Sequence, residues 1–326
     1  MAGELTAILA VLCFVISNVI FRKTEHDTSP VYINFFRTGI GAISFVIIAL
    51  VLNIFIKIFL IPWEIWIILI ISFVFGQVVG DTAYFKAQKE LGVTVAIAVS
   101  MTFPLFTFIL SLLFLNQVFD VKIIFSMLLI GGGIILIGKS KIESSNNDIS
   151  NTASESITPG ITLHKISKGY LFRALSFGLI ASLGWAIALV MIDFATNEID
   201  KILQAKQNIS SIIGNVIRFP FASLMLTSLV WRESYITKKR ENLSKQKKSS
   251  KIYILLLVGS IIGTSIGVYV YTEAARIAGA TTLALIASAS PLFALPLTYF
   301  INKEKISKLG FFGVIVTILG VIMIII

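Results

Sequence analysis

Long apolar runs, broken by short polar punctuation, recur along this chain of 326 residues. Most runs reach roughly 18–24 residues, the length a helix needs to cross the hydrocarbon core of a bilayer. Ten spans are expected, at 3–21, 31–54, 64–85, 91–114, 121–138, 171–193, 208–231, 252–273, 280–301 and 306–325. Short connections make most neighbouring spans antiparallel. The segment 139–170 breaks the rhythm. It carries Ser144-Ser145-Asn146-Asn147-Asp148 and Asn151-Thr152-Ala153-Ser154, too polar to bury a core of its own, and reads as a flexible linker. The pattern thus predicts an all-α integral membrane protein: a five-helix block at 1–138, a linker at 139–170, and a second five-helix block at 171–326.

The two blocks echo each other. Tyr84-x2-Ala87-x-Lys89-x2-Gly92-x-Thr94, followed by Pro104-Leu105-Phe106, returns 187 residues later as Tyr271-x2-Ala274-x-Arg276-x2-Gly279-x-Thr281 and Pro291-Leu292-Phe293. Asn34-x2-Arg37 returns as Asn215-x2-Arg218 at an offset of 181. Five helices per block would insert the second block upside down relative to the first. Inverted repeats around a central cleft are a common way to build a secondary transporter.

Composition strengthens the membrane reading. Hydrophobic residues are 56%, charged residues 13%, and mean hydropathy is +0.93, too little polarity to cover a soluble surface. The apolar run after Met1-Ala2-Gly3-Glu4 is expected to be the first membrane helix rather than a cleaved leader. The single Cys13 allows no disulfide within the chain, and two histidines, His26 and His164, are too few for a histidine metal site.

A net charge of +10 would suggest nucleic acid in a soluble protein; beside membrane spans it reports orientation. The loop after the seventh span alone carries Arg232, Lys238, Lys239, Arg240, Lys245, Lys247, Lys248 and Lys251. The even-numbered connections offer little beyond Lys57, Lys122, Lys201, Lys206 and Arg276. The positive-inside rule then places the odd loops in the cytoplasm and both termini outside.

Polar residues inside spans are the candidate chemistry, because lipid penalises them. Asn34 with Arg37, and Asn215 with Arg218, share a helical face in each pair and suit a carboxylate or phosphate; snorkelling or a structural ion pair is the bland alternative. Asp81, four residues after Gln77 and flanked by Gly76 and Gly80, suits an amine, a proton, or simple neutralisation of Arg37. Pro104 and Pro291 interrupt spans and are candidate hinges. Around them Ser100 and Ser288 are candidate solute ligands, although such hydroxyls also bond their own helix. Trp185, Tyr84 and Tyr269 can stack on a solute or simply pack. Asp193, Glu64, Glu273 and Glu4 fall near predicted span ends and read as interfacial. There is no G-x4-GK[ST], H-E-x2-H or G-x-S-x-G, so ATP-driven pumping and enzymatic chemistry lack support and no cofactor is called for.

With these motifs in place the chain resembles the EamA-type branch of the drug/metabolite transporter superfamily. The likeness is best over Tyr84–Gly133, with Ala87, Gly92, Pro104 and Gly131-Gly132-Gly133. It returns over Tyr271–Gly320, with Ala274, Gly279, Pro291, Glu304 and Gly320. Glu304 is similar to the acid of the family's Gly-Glu turn, which Gln117 replaces in the first half; Arg37 and Trp185 are similar to residues seen at corresponding places. The resemblance implies two inverted repeats around a cavity built by spans 1, 3, 4, 6, 8 and 9. It implies a carrier of amino acids or other small metabolites. Glu4 lies too near its helix end to serve as the mid-membrane proton carrier of the short multidrug members. Termini outside would also run against the family's usual orientation.

The expectation is therefore a secondary active transporter of small polar metabolites, amino acids foremost, working by alternating access in the cell membrane. Its partners would be the metabolite, membrane lipids and a proton or other coupling ion; a monomer suffices and a dimer is allowed. A lipid or lipid-precursor flippase, or a non-transporting membrane interaction protein, are the alternatives.

Overall fold

The computed structural model describes residues 2–24, 28–91, 99–100, 102–153, 168–204, 209–240, 250–290, 292–293 and 308–325. Its regular elements are all helical. In chain order they are α1 (Ala2–Arg22), α2 (Pro30–Val51), a 3₁₀ turn (Phe55–Leu60), α3 (Trp63–Phe73), a π-helix (Val74–Asp81) and α4 (Thr82–Leu91). Then come α5 (Phe103–Phe114), α6 (Val121–Ala153), α7 (Lys168–Leu203), α8 (Ile209–Arg240), α9 (Ser250–Ser260), a second π-helix (Ile261–Ile266), α10 (Gly267–Ala278), α11 (Ala280–Ser288) and α12 (Lys308–Ile325).

Seven helical stretches among the described residues are long and apolar enough to cross a membrane: Ala2–Phe21, Val31–Val51, Trp63–Tyr84, Ser176–Leu203, Ile209–Tyr235, Ser250–Ala278 and Lys308–Ile325. Phe103–Phe114 and Val121–Leu136 are shorter apolar helices. The spans expected at 91–114 and 280–301 fall partly outside the described residues. Large apolar side chains such as Leu5, Ile43, Ile47, Leu113, Leu128 and Phe311 are exposed, an exterior that suits lipid and would be a liability in water.

The segment expected to be linker from 139 onward is entered by helix on both sides. α6 continues to Ala153 and α7 begins at Lys168. Extending a formed helix adds one backbone bond per residue without a new nucleation cost, so a polar sequence continues an apolar helix outward.

Two compact units emerge, and they cut across the sequence halves: Met1–Val74 with Leu189–Leu283, and Phe75–Ala188 with Ala284–Ile326. In the first unit α1 packs on α10 and α2 on α8. Phe45, Leu69, Ile199, Ile213 and Ile217 are fully or nearly fully buried in its main core. In the second, α6 packs along α12, with Ile130, Leu285 and Val321 in the core.

Lipid is as apolar as leucine, so close backbone approach must supply the cohesion. Glycines mark where it happens. A Cβ on Gly133 would fall 2.7 Å from the Gly313 carbonyl and collide with Thr317; one on Gly320 would reach 2.7 Å from Ile130. Gly131 and Gly132 meet nothing within 4 Å. Of the triple glycine, only the last is a packing residue.

The two π-helices carry the echo into three dimensions. Adding 187 to 74–81 gives 261–268, and the second π-helix occupies 261–266. Gly76 and Gly80 thereby correspond to Gly263 and Gly267. In the second unit, a Cβ on Gly80 would sit 2.7 Å from the Trp185 indole, and Gly76 faces Ala188 at 3.0 Å. In the first unit, Gly267 faces Cys13 at 3.1 Å, and Gly263 lies so close to Ser17 that any side chain would overlap it. Each glycine pair is therefore needed to seat one facing helix, α7 in one unit and α1 in the other.

Candidate functional site

In the second unit the facing helix α7 presents Ser182 and Trp185, three residues apart and so on one side. The Trp185 Nε1–H donates to Asp81 Oδ1 at 2.9 Å. Tyr84 stacks on the same indole with centroids 5.4 Å apart, and Phe103 meets it edge-on at 6.3 Å. The Ser182 hydroxyl donates to the Ser100 carbonyl at 2.7 Å and lies 2.8 Å from Thr102 Oγ1. The sequence candidates Asp81, Tyr84, Trp185 and Ser100 thus converge on one stretch of α7. The π-helix causes this, because its wider turn re-aims Gln77 and Asp81 relative to a regular helix. A carboxylate beside aromatic faces is chemistry suited to an ammonium group.

In the first unit a polar row runs along the seam between α8 and α10. Ser211 donates to Glu273 Oε2 at 2.6 Å. Glu273 also receives Arg276 Nε at 3.0 Å and pairs with Arg276 Nη2; Arg276 Nη1 reaches Asp200 at 2.7 Å. One turn along α8, Asn215 Nδ2 donates to Thr272 Oγ1 at 3.1 Å. The next candidate on that face is Arg218. It is only 6% exposed, and its Nε is buried without a partner among the described residues. Tyr271 lies within electrostatic reach of it and packs on Phe14, centroids 5.4 Å apart. A buried guanidinium with no carboxylate among the described residues is costly by several kcal/mol unless another group supplies the counter-charge.

The profile of the EamA-like transporter family matches residues 1–139 and 172–326. This chain belongs to that family. It is similar to an uncharacterized transporter of Archaeoglobus fulgidus, 22% identical over 321 residues that cover 98% of this chain and 96% of the relative. A solved crystal structure superposes with a TM-score of 0.69 at 13% identity, covering 99% of this chain and 96% of that one, which speaks to the fold alone. The chain is accordingly a multi-pass membrane protein of the drug/metabolite transporter superfamily, a secondary transporter of small molecules, and not an enzyme.

Within this EamA-like transporter the other sequence candidates separate. Asn34 and Arg37 lie half-buried on α2, and Gln77 half-buried in the first π-helix. Tyr269 packs beside the apolar core of the first unit. Ser288 is buried and donates to the Leu285 carbonyl at 2.7 Å, satisfied within its own helix. Pro104 stands in the first turn of α5, just after the helical residues 99–100 and the turn at Thr102, so the break in this span falls beside it. In that first turn its missing N–H costs nothing. Pro291 lies outside the described residues. Among the described residues, Pro220 lies inside a helix, two residues after Arg218, where a backbone acceptor one turn earlier loses its partner.

Two further residues read as interfacial are interior. Asp193 and Glu273 are 5% and 3% exposed. Asp193 Oδ2 accepts the Ala280 N–H at 2.7 Å, capping α11 at the point where Gly279 turns with φ +81°. Asn197 holds the other Asp193 oxygen at 2.6 Å. The signal available in the sequence was the three-residue spacing of Glu273 and Arg276, an intrahelical ion pair.

Proposed function

We propose that this protein is an alternating-access secondary active transporter of amino acids or closely related small carboxylates. Arg218, buried and lacking a counter-charge among the described residues, is the observation that carries the reading; its bidentate donors suit a substrate carboxylate. Arg37 is its counterpart at the 181-residue offset. A ten-span chain with inverted repeats at 1–138 and 171–326 is the architecture we assign. It is supported by the matched π-helices and by the recurrence of Phe14–Tyr271 as Trp185–Tyr84. The loop charges favour termini outside.

The test is solute counterflow by purified protein in liposomes, with a pool of radiolabelled amino acids. Uptake driven by unlabelled internal solute, and weakened at low substrate in both Arg37→Ala and Arg218→Ala, is the expected result. Silence across the pool, with monodisperse protein, would overturn the amino-acid assignment and bring lipid flipping forward.

A further inference from the structure

We infer that Arg218 makes this carrier an exchanger: its site closes and reopens readily only with an anionic substrate group bound. The inference rests on the carrier reading above and adds the mode of transport. Four observations bear on it. Arg218 is 6% exposed and its Nε has no acceptor among the described residues. The acid of its own polar row, Glu273, is engaged by Ser211 and Arg276. Ser211, where that engagement occurs, is seven residues from Arg218, about 10.5 Å along the helix axis at 1.5 Å per residue. The intervening Asn215 and Thr272 hydrogen-bond to each other. The row therefore leaves Arg218 to a counter-charge that comes from outside it.

The chemistry of the guanidinium sets the behaviour of the empty site. A lysine can release its proton and pass through a dry state neutral; a guanidinium stays charged. In an open state, water that reaches the site can solvate the guanidinium. In the occluded state between open states, water is excluded, and an empty site would strand the charge in a low-dielectric interior. A bound carboxylate forms a neutral, bidentate pair and removes that barrier. The loaded carrier then reorients quickly and the empty carrier slowly, so net flux is limited by the empty return and exchange is not.

The experiment compares initial uptake of the radiolabelled amino-acid pool into liposomes filled with the unlabelled pool and into liposomes filled with buffer. Wild-type uptake should be about 100-fold faster into filled vesicles, a difference of about 2.8 kcal/mol in barrier at 1.4 kcal/mol per tenfold. Arg218→Lys should narrow the gap by offering a neutral route. Arg218→Gln should weaken uptake at low substrate, and at saturating substrate bring the two rates within about tenfold of each other. Equal wild-type rates in the two vesicle types would overturn exchange and leave the carrier reading standing. A 100-fold gap that survives in Arg218→Gln would also overturn the assignment to this residue. Silence in both vesicle types, with folded protein confirmed, would remove the amino-acid assignment and this inference together.

Discussion

Replacing Arg276 by Met should expose how the first unit is held together. Arg276 joins Asp200 and Glu273, so it ties the end of α7 to α10, and through the Ser211–Glu273 bond to α8. Removing one partner of a buried pair costs about 3–5 kcal/mol because the other charge is left bare. The side chains of Arg276 and Asp200 are 19% and 21% exposed, while that of Glu273 is 5% exposed. Partial solvation of two members places the expected loss near the low end, about 3 kcal/mol. Glu273→Gln alone loses charge-assisted bonds to Arg276 but leaves Arg276 on Asp200, a cost of about 1.5 kcal/mol. In the double variant no bare charge remains at position 273, so the cost should fall to about 2 kcal/mol. The singles would then sum to about 4.5 and miss the double by about 2.5 kcal/mol, a coupling within the range of contacting residues. Reversible unfolding in mixed micelles with a rising fraction of denaturing detergent, monitored by tryptophan fluorescence, measures all three. The decisive comparison is one of sign: Glu273→Gln should restore stability on the Arg276→Met background. If it lowers stability further, by its single-variant amount, the buried-charge argument is wrong.

Other substitutions test the packing and the caps. Gly131→Ala and Gly132→Ala, with open space at their Cβ positions, should be neutral or stabilise by up to about 1 kcal/mol. Gly133→Ala, which meets Thr317 and the Gly313 carbonyl, should cost about 1–3 kcal/mol; thermal melting in detergent gives the order. Asp193→Ala removes the acceptor that caps Ala280 and should cost about 1–2 kcal/mol, with Asp193→Asn recovering at least half. Equal losses in the two variants would show that the cap is not what Asp193 contributes. Trp185→Phe keeps a ring against Tyr84 but deletes the donor to Asp81. It should cost about 1.5–3 kcal/mol in the same unfolding assay, the worth of a hydrogen bond to a charged acceptor. A loss below about 0.5 kcal/mol, the lower edge for any net hydrogen bond, would mean that Asp81 does not depend on the indole.

Lipid enforces the features that were legible in the sequence. Seven of the expected spans reappear as helices with ends shifted by up to ten residues, because an apolar run of that length has no other stable state in a bilayer. The face shared by Asn215 and Arg218 was readable from their spacing alone. The ends of spans were not. Asp193 sits ten residues before the end of α7, and a hydropathy window stops at a charge whether or not that charge is paired. The ion pairs that keep Asp200, Glu273 and Arg276 inside are long-range partnerships, invisible to a local window. Pro104 marks a break in its span but not the form of the break: proline in an apolar run starts a helix as readily as it bends one, and only the backbone before it decides. The π-helices left a trace in Gly76, Gly80, Gly263 and Gly267, but glycine marks close approach without saying what approaches.

The recurrence of one arrangement in the two units makes its single difference informative. Phe14 on Tyr271 repeats Trp185 on Tyr84, both with centroids 5.4 Å apart. The offsets, 171 for the facing helix and 187 for the π-helix, align Ser17 with Ala188 and Gly263 with Gly76 as well. At the position of Asp81 the other unit has Val268, and at the position of Trp185 it has Phe14. Acid and indole donor are present together in one unit and absent together in the other. A carboxylate held inside lipid needs donors at hand, and phenylalanine has none to give. The two positions therefore differ together: the acid faces an indole that donates to it, while valine stands where phenylalanine offers no donor. The unit without the acid instead buries a guanidinium, at Arg218. At these matched positions like scaffolds thus carry different chemistry, an acid with its indole donor in one and apolar side chains in the other.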